Sequence, residues 1–386
     1  MVPRKIFFVP PPRMGLMMLH LILPSKETFT DANAGAIARV AADSLHGSQF
    51  RDDAMVFGQN ISTPPMGGVS YLGLTSWHRF FHGSNIGLGK AYINWLRKTP
   101  KARWPYLIEV HGRCALARMI ASAVPEVPVV LFQHNDPRTM TGARSGAERT
   151  ALTQVLAGVF SNSGYIEGCF REGLPPEHDA DCQFHIIRLG ARRWHEAAPK
   201  KSHTILFVGR MVPEKGAAEA AEAIASVLPD YPEWRFVMIG ARRFEEAVEN
   251  DYAARIRSRL KPLGDQVELT GFVPAETVRR YQDEAAIVLA PSQWQEPAGL
   301  VVLEALASGS ALITSRRGGI PEYTDGRSVL LDEPDGPSIS DALRSLLSNP
   351  AQLKSLQDKA WKDYPFTLEA MVAAIDEARS SVITRG

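Results

Sequence analysis

Glu296-Pro297-Ala298-Gly299-Leu300-Val301-Val302-Leu303-Glu304 sets two carboxylates eight positions apart, with a glycine turn and the apolar start of a helix between them. Upstream, Ala285 to Pro291 is a short apolar run ending in Pro-Ser, which reads as a buried strand. Downstream, Leu300, Leu303, Glu304 and Ala307 fall at helical spacing until Gly309 stops the helix. The unit is strand, loop, helix. Glu296 is therefore expected in the loop off the strand's C-terminal end, where open parallel sheets bind ligands, and Glu304 about two turns into the helix. The two carboxylates offer acceptors to sugar-like hydroxyls, while the free N–H groups of the helix start favour an anion. An ordinary βα unit with two solvated glutamates is the alternative, and only context decides between them.

That context is a series of glycine loops at strand ends. Gly209-Arg210-Met211-Val212-Pro213-Glu214-Lys215-Gly216 follows the apolar run Thr204 to Val208, and Gly318-Gly319-Ile320-Pro321-Glu322 follows Ala311 to Thr314. Gly271-Phe272-Val273 closes a third strand. From residue 204 onward, strands at 204–208, 235–239 and 267–270 alternate with helices at about 216–227, 246–260 and 275–282. Such alternation predicts a parallel sheet with helices on both faces. In order and spacing these loops resemble the donor half of the retaining glycosyltransferases of family 4, closely over residues 203–330 and loosely over the N-terminal half.

The resemblance implies an α/β chain of the GT-B type. Two Rossmann-like doubly wound domains face each other across a cleft, and a C-terminal helix crosses back to the first. The expected boundaries are 1–190 plus about 366–386 for an acceptor domain, and 191–365 for a nucleotide-sugar donor domain. A length of 386 residues suits two domains, and 45% hydrophobic residues can build two cores. Net charge of +1 gives no pull toward nucleic acid. Cys114, Cys169 and Cys182 lack metal spacing and read as reduced thiols. Arg4, Lys5 and Arg13 precede the apolar run 16–23, which is too short to span a bilayer and suffices as a strand.

In the N-terminal half, residues 5–9 and 16–23 are both strand candidates. Asp31 or Asn33 is expected to cap a helix running through Ala42, with Gly35 letting backbone approach a ligand. The Gly-, Ser-, Thr- and Pro-rich stretch 58–90, holding Trp77, His78, Phe80, Phe81 and His82, reads as an acceptor-facing or edge-filling loop. Residues 87–104 carry Lys90, Arg97, Lys98, Lys101 and Arg103 without an acid, interleaved with Tyr92, Ile93, Trp95, Leu96 and Trp104. Two readings stand: an anionic membrane surface engaged by residues 90–104, or a surface helix that buries its aromatic side. Strands at 106–110 and 127–132 each end near a histidine, His111 and His134. Ser163 is the expected N-cap of the helix that follows a strand at 155–160.

Family roles pass to matching positions. By resemblance, Gly35 faces the donor diphosphate, His134 at the end of Pro128-Val129-Val130-Leu131-Phe132-Gln133-His134 supports the donor sugar, and His111 lines the same face. Arg210 is suited to two parallel hydrogen bonds to phosphate, and Lys215 adds a compact second cation. In the alternative they pair with Glu214 or Glu222. Glu296 accepts hydroxyls of the donor sugar, the Gly299 and Leu300 backbone cradles phosphate or sugar, and Glu304 binds the ribose. Gly209, Phe272, Val273, Arg242, Arg243, Arg316 and Arg317 complete the donor-side candidates. As a loop carboxylate, Glu296 is expected to matter to turnover and little to stability.

Arg210 and Lys215 supply positive charge at the nucleotide site, so no metal and no other cofactor is expected. The expected partners are a nucleotide-sugar donor and a glycan or lipid-linked acceptor, at a cytoplasmic location or on the inner face of the plasma membrane. Ala298 stands where many relatives carry Phe, which leaves the sugar unassigned. The competing readings are a transferase with a small soluble acceptor, a nucleotide-sugar-binding protein without turnover, and a dinucleotide oxidoreductase. The last lacks a G-x-G-x-x-G after a first strand.

Overall fold

Leu19–Ile22 (β1) is buried at every position in the computed structural model, which describes residues 19–31, 33–75, 84–176, 182–240, 251–324, 326–362 and 364–385. Burial on both faces is what a central strand of a parallel sheet requires. β1 pairs in parallel with Ala54–Gly58 (β2) on one side and Leu107–His111 (β4) on the other. Ser70–Gly73 (β3), Val129–Gln133 (β5), Gly158–Ser161 (β6) and Gln183–Ile186 (β7) complete the sheet in the order β3-β2-β1-β4-β5-β6-β7. Helices Ala36–Asp43 (α1), Ser84–Lys98 (α2), Cys114–Ala123 (α3), Gly146–Thr153 (α4) and Gly164–Arg171 (α5) accompany these strands.

The second sheet has the order β10-β9-β8-β11-β12-β13, all parallel. Its strands are Ser202–Val208 (β8), Arg235–Ile239 (β9), Val267–Gly271 (β10), Ala285–Ala290 (β11), Ala311–Ser315 (β12) and Ser328–Leu331 (β13). Its helices are Ala217–Val227 (α6), Asp251–Leu260 (α7), Ala275–Glu284 (α8), Leu300–Ala307 (α9), Ile320–Thr324 (α10), Gly336–Ser348 (α11) and Pro350–Lys362 (α12). The last helix, Leu368–Arg385 (α13), belongs with the first sheet. The chain thus divides into one unit ending at Leu189 and resuming at Leu368, and a second spanning Gly190–Thr367.

α13 is held to the first unit by charge as well as by apolar packing. Arg379 is fully buried and sits on Glu109 of β4, with Nε to Oε2 at 2.9 Å and Nη2 to Oε1 at 3.1 Å. The same guanidinium donates to the carbonyl and hydroxyl of Ser44, both at 3.1 Å. Asp376 accepts from Ser48 Oγ at 2.7 Å and from the Gln49 N–H at 2.8 Å.

Several local expectations change. α1 is capped by neither Asp31 nor Asn33: Gly35 is its N-cap, without a side-chain bond, and the carboxylate of Glu27 accepts from the Ala38 N–H at 3.2 Å. A chain residue far enough upstream to fold back supplies the acceptor that the local Asx side chains do not. The stretch read as loop at 58–90 contains β3 and the start of α2, because Ser70 and Tyr71 are buried against the sheet. Glu304 is just over one turn into α9, which begins at Leu300. Ser163 does cap α5, accepting from the Ile166 N–H at 3.2 Å. All three cysteines are free and buried.

The basic stretch buries its aromatic side. Tyr92, Ile93 and Leu96 are buried, Trp95 packs tilted against Phe57 with ring centroids 4.9 Å apart, and Trp104 donates its indole N–H to the Thr99 carbonyl at 3.0 Å. Arg97, Lys98, Lys101 and Arg103 remain exposed, with Lys101 paired to Glu126 at 3.0 Å and Arg97 donating to the Ala123 carbonyl at 2.9 Å. An apolar membrane-facing surface is therefore not what this helix presents. The candidates at residues 5–9, at Trp77, His78, Phe80, Phe81 and His82, and at Arg242 and Arg243 lie outside the described residues.

Candidate active site

In the second sheet the strand order reverses between β8 and β11, the position at which doubly wound sheets open a crevice. The loops after these strands, 209–216 and 291–299, are tied together there. Gly216 has φ of 71°, and a Cβ on it would lie 2.0 Å from the Pro291 carbonyl oxygen, so only glycine lets the loops approach this closely. The Gln293 N–H donates to the Glu214 carbonyl at 2.9 Å. On the other side Gly318, with φ of 57°, packs so that a Cβ would lie 2.1 Å from the Glu296 carbonyl oxygen. That oxygen accepts from the Gly319 N–H at 2.7 Å.

Glu296 is thus clamped through its backbone, and the residue is 5% exposed. Oε1 accepts from Ser292 Oγ at 2.8 Å and pairs with the Lys215 ammonium. Lys215 makes no pair with Glu214 or Glu222, which removes that alternative for it. Its ammonium also lies 5.7 Å from the Trp294 ring centroid. Arg210 is exposed on the same loop, and its guanidinium has no side-chain partner among the described residues. A few residues beyond Glu296, Gly299 opens α9 without a side-chain cap, leaving the first-turn donors of Leu300 and Val301 to water or a ligand. One loop system therefore offers a buried carboxylate, a paired ammonium, an exposed guanidinium and a helix start.

Glu304 is oriented from α8, since its Oε2 accepts from Gln282 Nε2 at 2.8 Å. Beneath it, the Lys201 ammonium holds the carbonyls of Asp283 at 2.9 Å and Ser308 at 2.7 Å, joining the ends of α8 and α9. A cation at two helix C-termini complements both dipoles, although burial lowers Lys201 to about 8. Sequence reasoning missed Ser292, Gln282 and Lys201, none of which stands in a motif. Phe272 is 48% exposed at the end of β10. Arg316 and Arg317 are committed to Asp332 at 2.6 Å and Glu333 at 3.1 Å.

The first unit carries a different cluster. Glu109 and His111 alternate onto one face of β4, and His134 follows β5, which pairs with β4 in the register His111↔Phe132. His111 Nε2 lies 2.8 Å from Glu109 Oε1, and His111 Nδ1 lies 3.0 Å from His134 Nε2. Glu109 and His111 are fully buried, and His134 is 7% exposed. The two predicted histidines are therefore partners, joined through Glu109 to Arg379 of α13. Burial pushes the Glu109 carboxyl up, but Arg379 and His111 outweigh it and hold it well below the usual carboxylate range. Burial, reinforced by His111, keeps His134 well below the ordinary histidine value. Over Gly35 the space is taken by the chain itself: a Cβ there would lie 2.5 Å from the Glu27 carboxylate.

Residues 191–363 match the family model of the glycosyl transferases, group 1. The matched segment lies within the second unit and contains the loop residues from Gly209 to Gly319 described above. YtcC of Bacillus subtilis, which carries the name of a glycosyltransferase, is 32% identical over 254 residues, 60% of this chain and 61% of its own. The chain thus spans about three fifths of that relative's length. Alpha-maltose-1-phosphate synthase of Mycolicibacterium smegmatis is 26% identical over 61% of this chain and 67% of its own. Among solved structures, the Anabaena protein Alr3699/HepE in complex with UDP-glucose superposes with a TM-score of 0.73 at 16% identity, covering 94% of this chain and 100% of that one. The fold is GT-B.

Proposed function

We propose that this chain is a retaining, metal-independent glycosyltransferase that moves a sugar from a nucleoside-diphosphate sugar to a hydroxyl of a glycan or lipid-linked glycan. The observation that carries the reading is Glu296, held by Lys215 and Ser292 at the strand-order reversal, beside the uncapped α9 and the exposed Arg210. Arg210 and the α9 donors receive the diphosphate, whose charge grows as the glycosidic bond breaks. Lys215 adds a cation on the same loop, so positive charge does not need to come from a metal. Glu296 accepts hydroxyls of the donor sugar and Glu304 those of the ribose, with the backbone of Gly209, Gly299 and Leu300 alongside and Phe272 and Val273 toward the base. The acceptor oxygen attacks on the face that the phosphate leaves, and the leaving phosphate takes the acceptor's proton. His134 hydrogen-bonds a substrate hydroxyl.

The Anabaena neighbour is a complex with UDP-glucose, so UDP-sugars head the panel of donors. The assay is release of nucleoside diphosphate from that panel, with and without an acceptor extract, in excess chelator. Release that depends on acceptor and persists in chelator is expected; loss restored by a divalent ion contradicts metal independence.

For a lipid-linked acceptor, attachment to the inner face of the plasma membrane rests on charge alone: Arg97, Lys98, Lys101 and Arg103 are exposed, each contributing about 1 kcal/mol near an anionic leaflet. Among the described residues no helix is long and apolar enough to cross a membrane. The inward packing of Trp95 and Trp104 favours a second reading, transfer to a small soluble acceptor. Lipid extract and soluble sugars as separate arms of the assay tell the two apart.

A further inference from the structure

The ends of α8 and α9 meet at one ammonium, and the carboxylate assigned above to the ribose is fastened to that joint. α8 ends at Glu284 and α9 at Ala307, so the carbonyls of their last turns lack partners within their own helices. Lys201, which precedes β8, answers for both. Its Nζ lies 2.9 Å from the Asp283 carbonyl, 2.7 Å from the Ser308 carbonyl and 3.1 Å from Ser310 Oγ. The Gln282 carbonyl stands farther off, at 3.4 Å. An ammonium carries three protons, one for each of the nearer acceptors. Ser310 is itself engaged, its hydroxyl donating to the Ala285 carbonyl at 2.9 Å. From the same last turn of α8, the buried side chain of Gln282 donates to Glu304 Oε2 at 2.8 Å. Glu304 in turn stands one turn before Ser308, whose N–H donates to its carbonyl at 3.0 Å. The spacing between Gln282 and Glu304 is therefore set by the joint that Lys201 closes.

We propose that Lys201, in its ammonium form, is a positioning residue for Glu304: it locks α8 to α9 so that Gln282 holds the carboxylate toward the ribose hydroxyls of the nucleotide, and recognition of those hydroxyls is lost when the ammonium deprotonates. The inference rests on the reading of Glu304 as the ribose acceptor.

The loss follows from the protons available. A neutral amine keeps two N–H groups and a lone pair. That lone pair then faces a carbonyl oxygen, or draws the Ser310 hydroxyl away from the Ala285 carbonyl. The charge that complemented two helix C-termini is gone as well. Burial brings the change within reach by lowering Lys201 to about 8, against the pull of the Asp283 carboxylate. Among the described residues, the charged groups around the joint are Asp283, which pairs with His195 Nε2 at 2.9 Å, Glu284, 3.6 Å from Arg235 Nη2, and Glu304 itself.

The test is the calorimetric affinity of the full-length protein for whichever of UDP, ADP and GDP binds tightest, beside the 2′,3′-dideoxy form of the same nucleotide. Taking the ratio of the two forms cancels titration of base and phosphate. At pH 7 the ribose form is expected to bind roughly 10- to 100-fold tighter, the effect of charge-assisted hydrogen bonds from its hydroxyls. In Lys201→Met, shown folded by circular dichroism, the ratio is expected to fall to within about threefold of unity, with affinity for the dideoxy form unchanged. The unaltered protein at about pH 9.5 is expected to behave as that variant does. A ratio that holds at the higher pH overturns the proposal whether or not any variant folds. A folded Lys201→Met that keeps the preference does the same, as does one that loses affinity for both forms alike. Glu304→Ala separates the two ways of failing. Preference that survives in Glu304→Ala contradicts the ribose reading itself, and the proposal falls with it; preference lost there but kept in Lys201→Met strikes the proposal alone.

Discussion

The cluster in the first unit and the one in the second solve opposite electrostatic problems. Around Glu109 the carboxylate, the Arg379 guanidinium and Asp376 are buried and joined inside the protein, whereas around Glu296 the carboxylate is buried but Arg210 stands exposed and the helix start is uncapped. A fully satisfied buried network orients side chains and is costly to break. A partly satisfied one leaves capacity for an anion. The first cluster therefore reads as a tie between the C-terminal helix and the first sheet, and the second as a receptor for negative charge.

Breaking each cluster at its cation separates the two descriptions. Arg379→Met leaves Glu109 buried without its partner and is expected to lower unfolding stability by about 3–5 kcal/mol, read by denaturant titration of the full chain. Arg210→Ala is expected to leave the melting temperature unchanged while weakening binding of free nucleoside diphosphate by about 1.5–3 kcal/mol for each charge-assisted bond lost. Calorimetry would check it, and unchanged affinity would remove Arg210 from the site. Glu296→Gln sits between them. Its burial and its pairing with Lys215 and Ser292 correct the expectation of a carboxylate without structural weight, and a loss of about 1–2 kcal/mol in stability should accompany the loss of turnover.

Acid sharpens the contrast. Glu109 is held below its ordinary value of about 4.5, so its contribution is present above that pH and is lost as pH falls through the depressed value. His134 and His20, the latter lowered by burial to about 3, are depressed bases. Unfolded, they take up protons below about 6.5, so stability falls as pH drops through that value. In the second unit Lys201 acts only above about 8, and burial raises Glu219, which works in the opposite direction. Amide hydrogen exchange at pH 7 and pH 5 should show β4 and β5 losing protection while β8 and β11 change less. Equal losses would mean that the buried histidines do not set the acid response. Smallest of all is the surface effect: replacing Arg97, Lys98, Lys101 and Arg103 with Gln should release the protein from anionic vesicles at low salt without touching turnover on a soluble acceptor.

The same contrast explains what the sequence revealed. The donor-side loops are legible because close backbone approach demands glycine at fixed offsets from strand ends, as at Gly216 and Gly318, and because β11 and the central residues of β8, β9 and β12 are apolar runs. Glu109 was the unread signal: a carboxylate inside the buried strand Leu-Ile-Glu-Val-His needs a counter-charge. That counter-charge is 270 positions away on α13, beyond any local pattern. His111 and His134 were each singled out, yet their contact depends on strand register, and the Glu27 acceptor at α1 depends on a chain reversal. Trp95 and Trp104 fit both a membrane face and a core face by spacing alone, and packing decided for the core.

The central claim is that the Lys215–Glu296 cradle performs sugar transfer, and the most direct measurement is acceptor-dependent release of nucleoside diphosphate by the unaltered chain and by Glu296→Gln, both shown folded by circular dichroism. The account predicts release from at least one nucleotide sugar and a loss of about 100-fold or more in the variant. Equal rates in the two proteins, or no release from any donor, would contradict it.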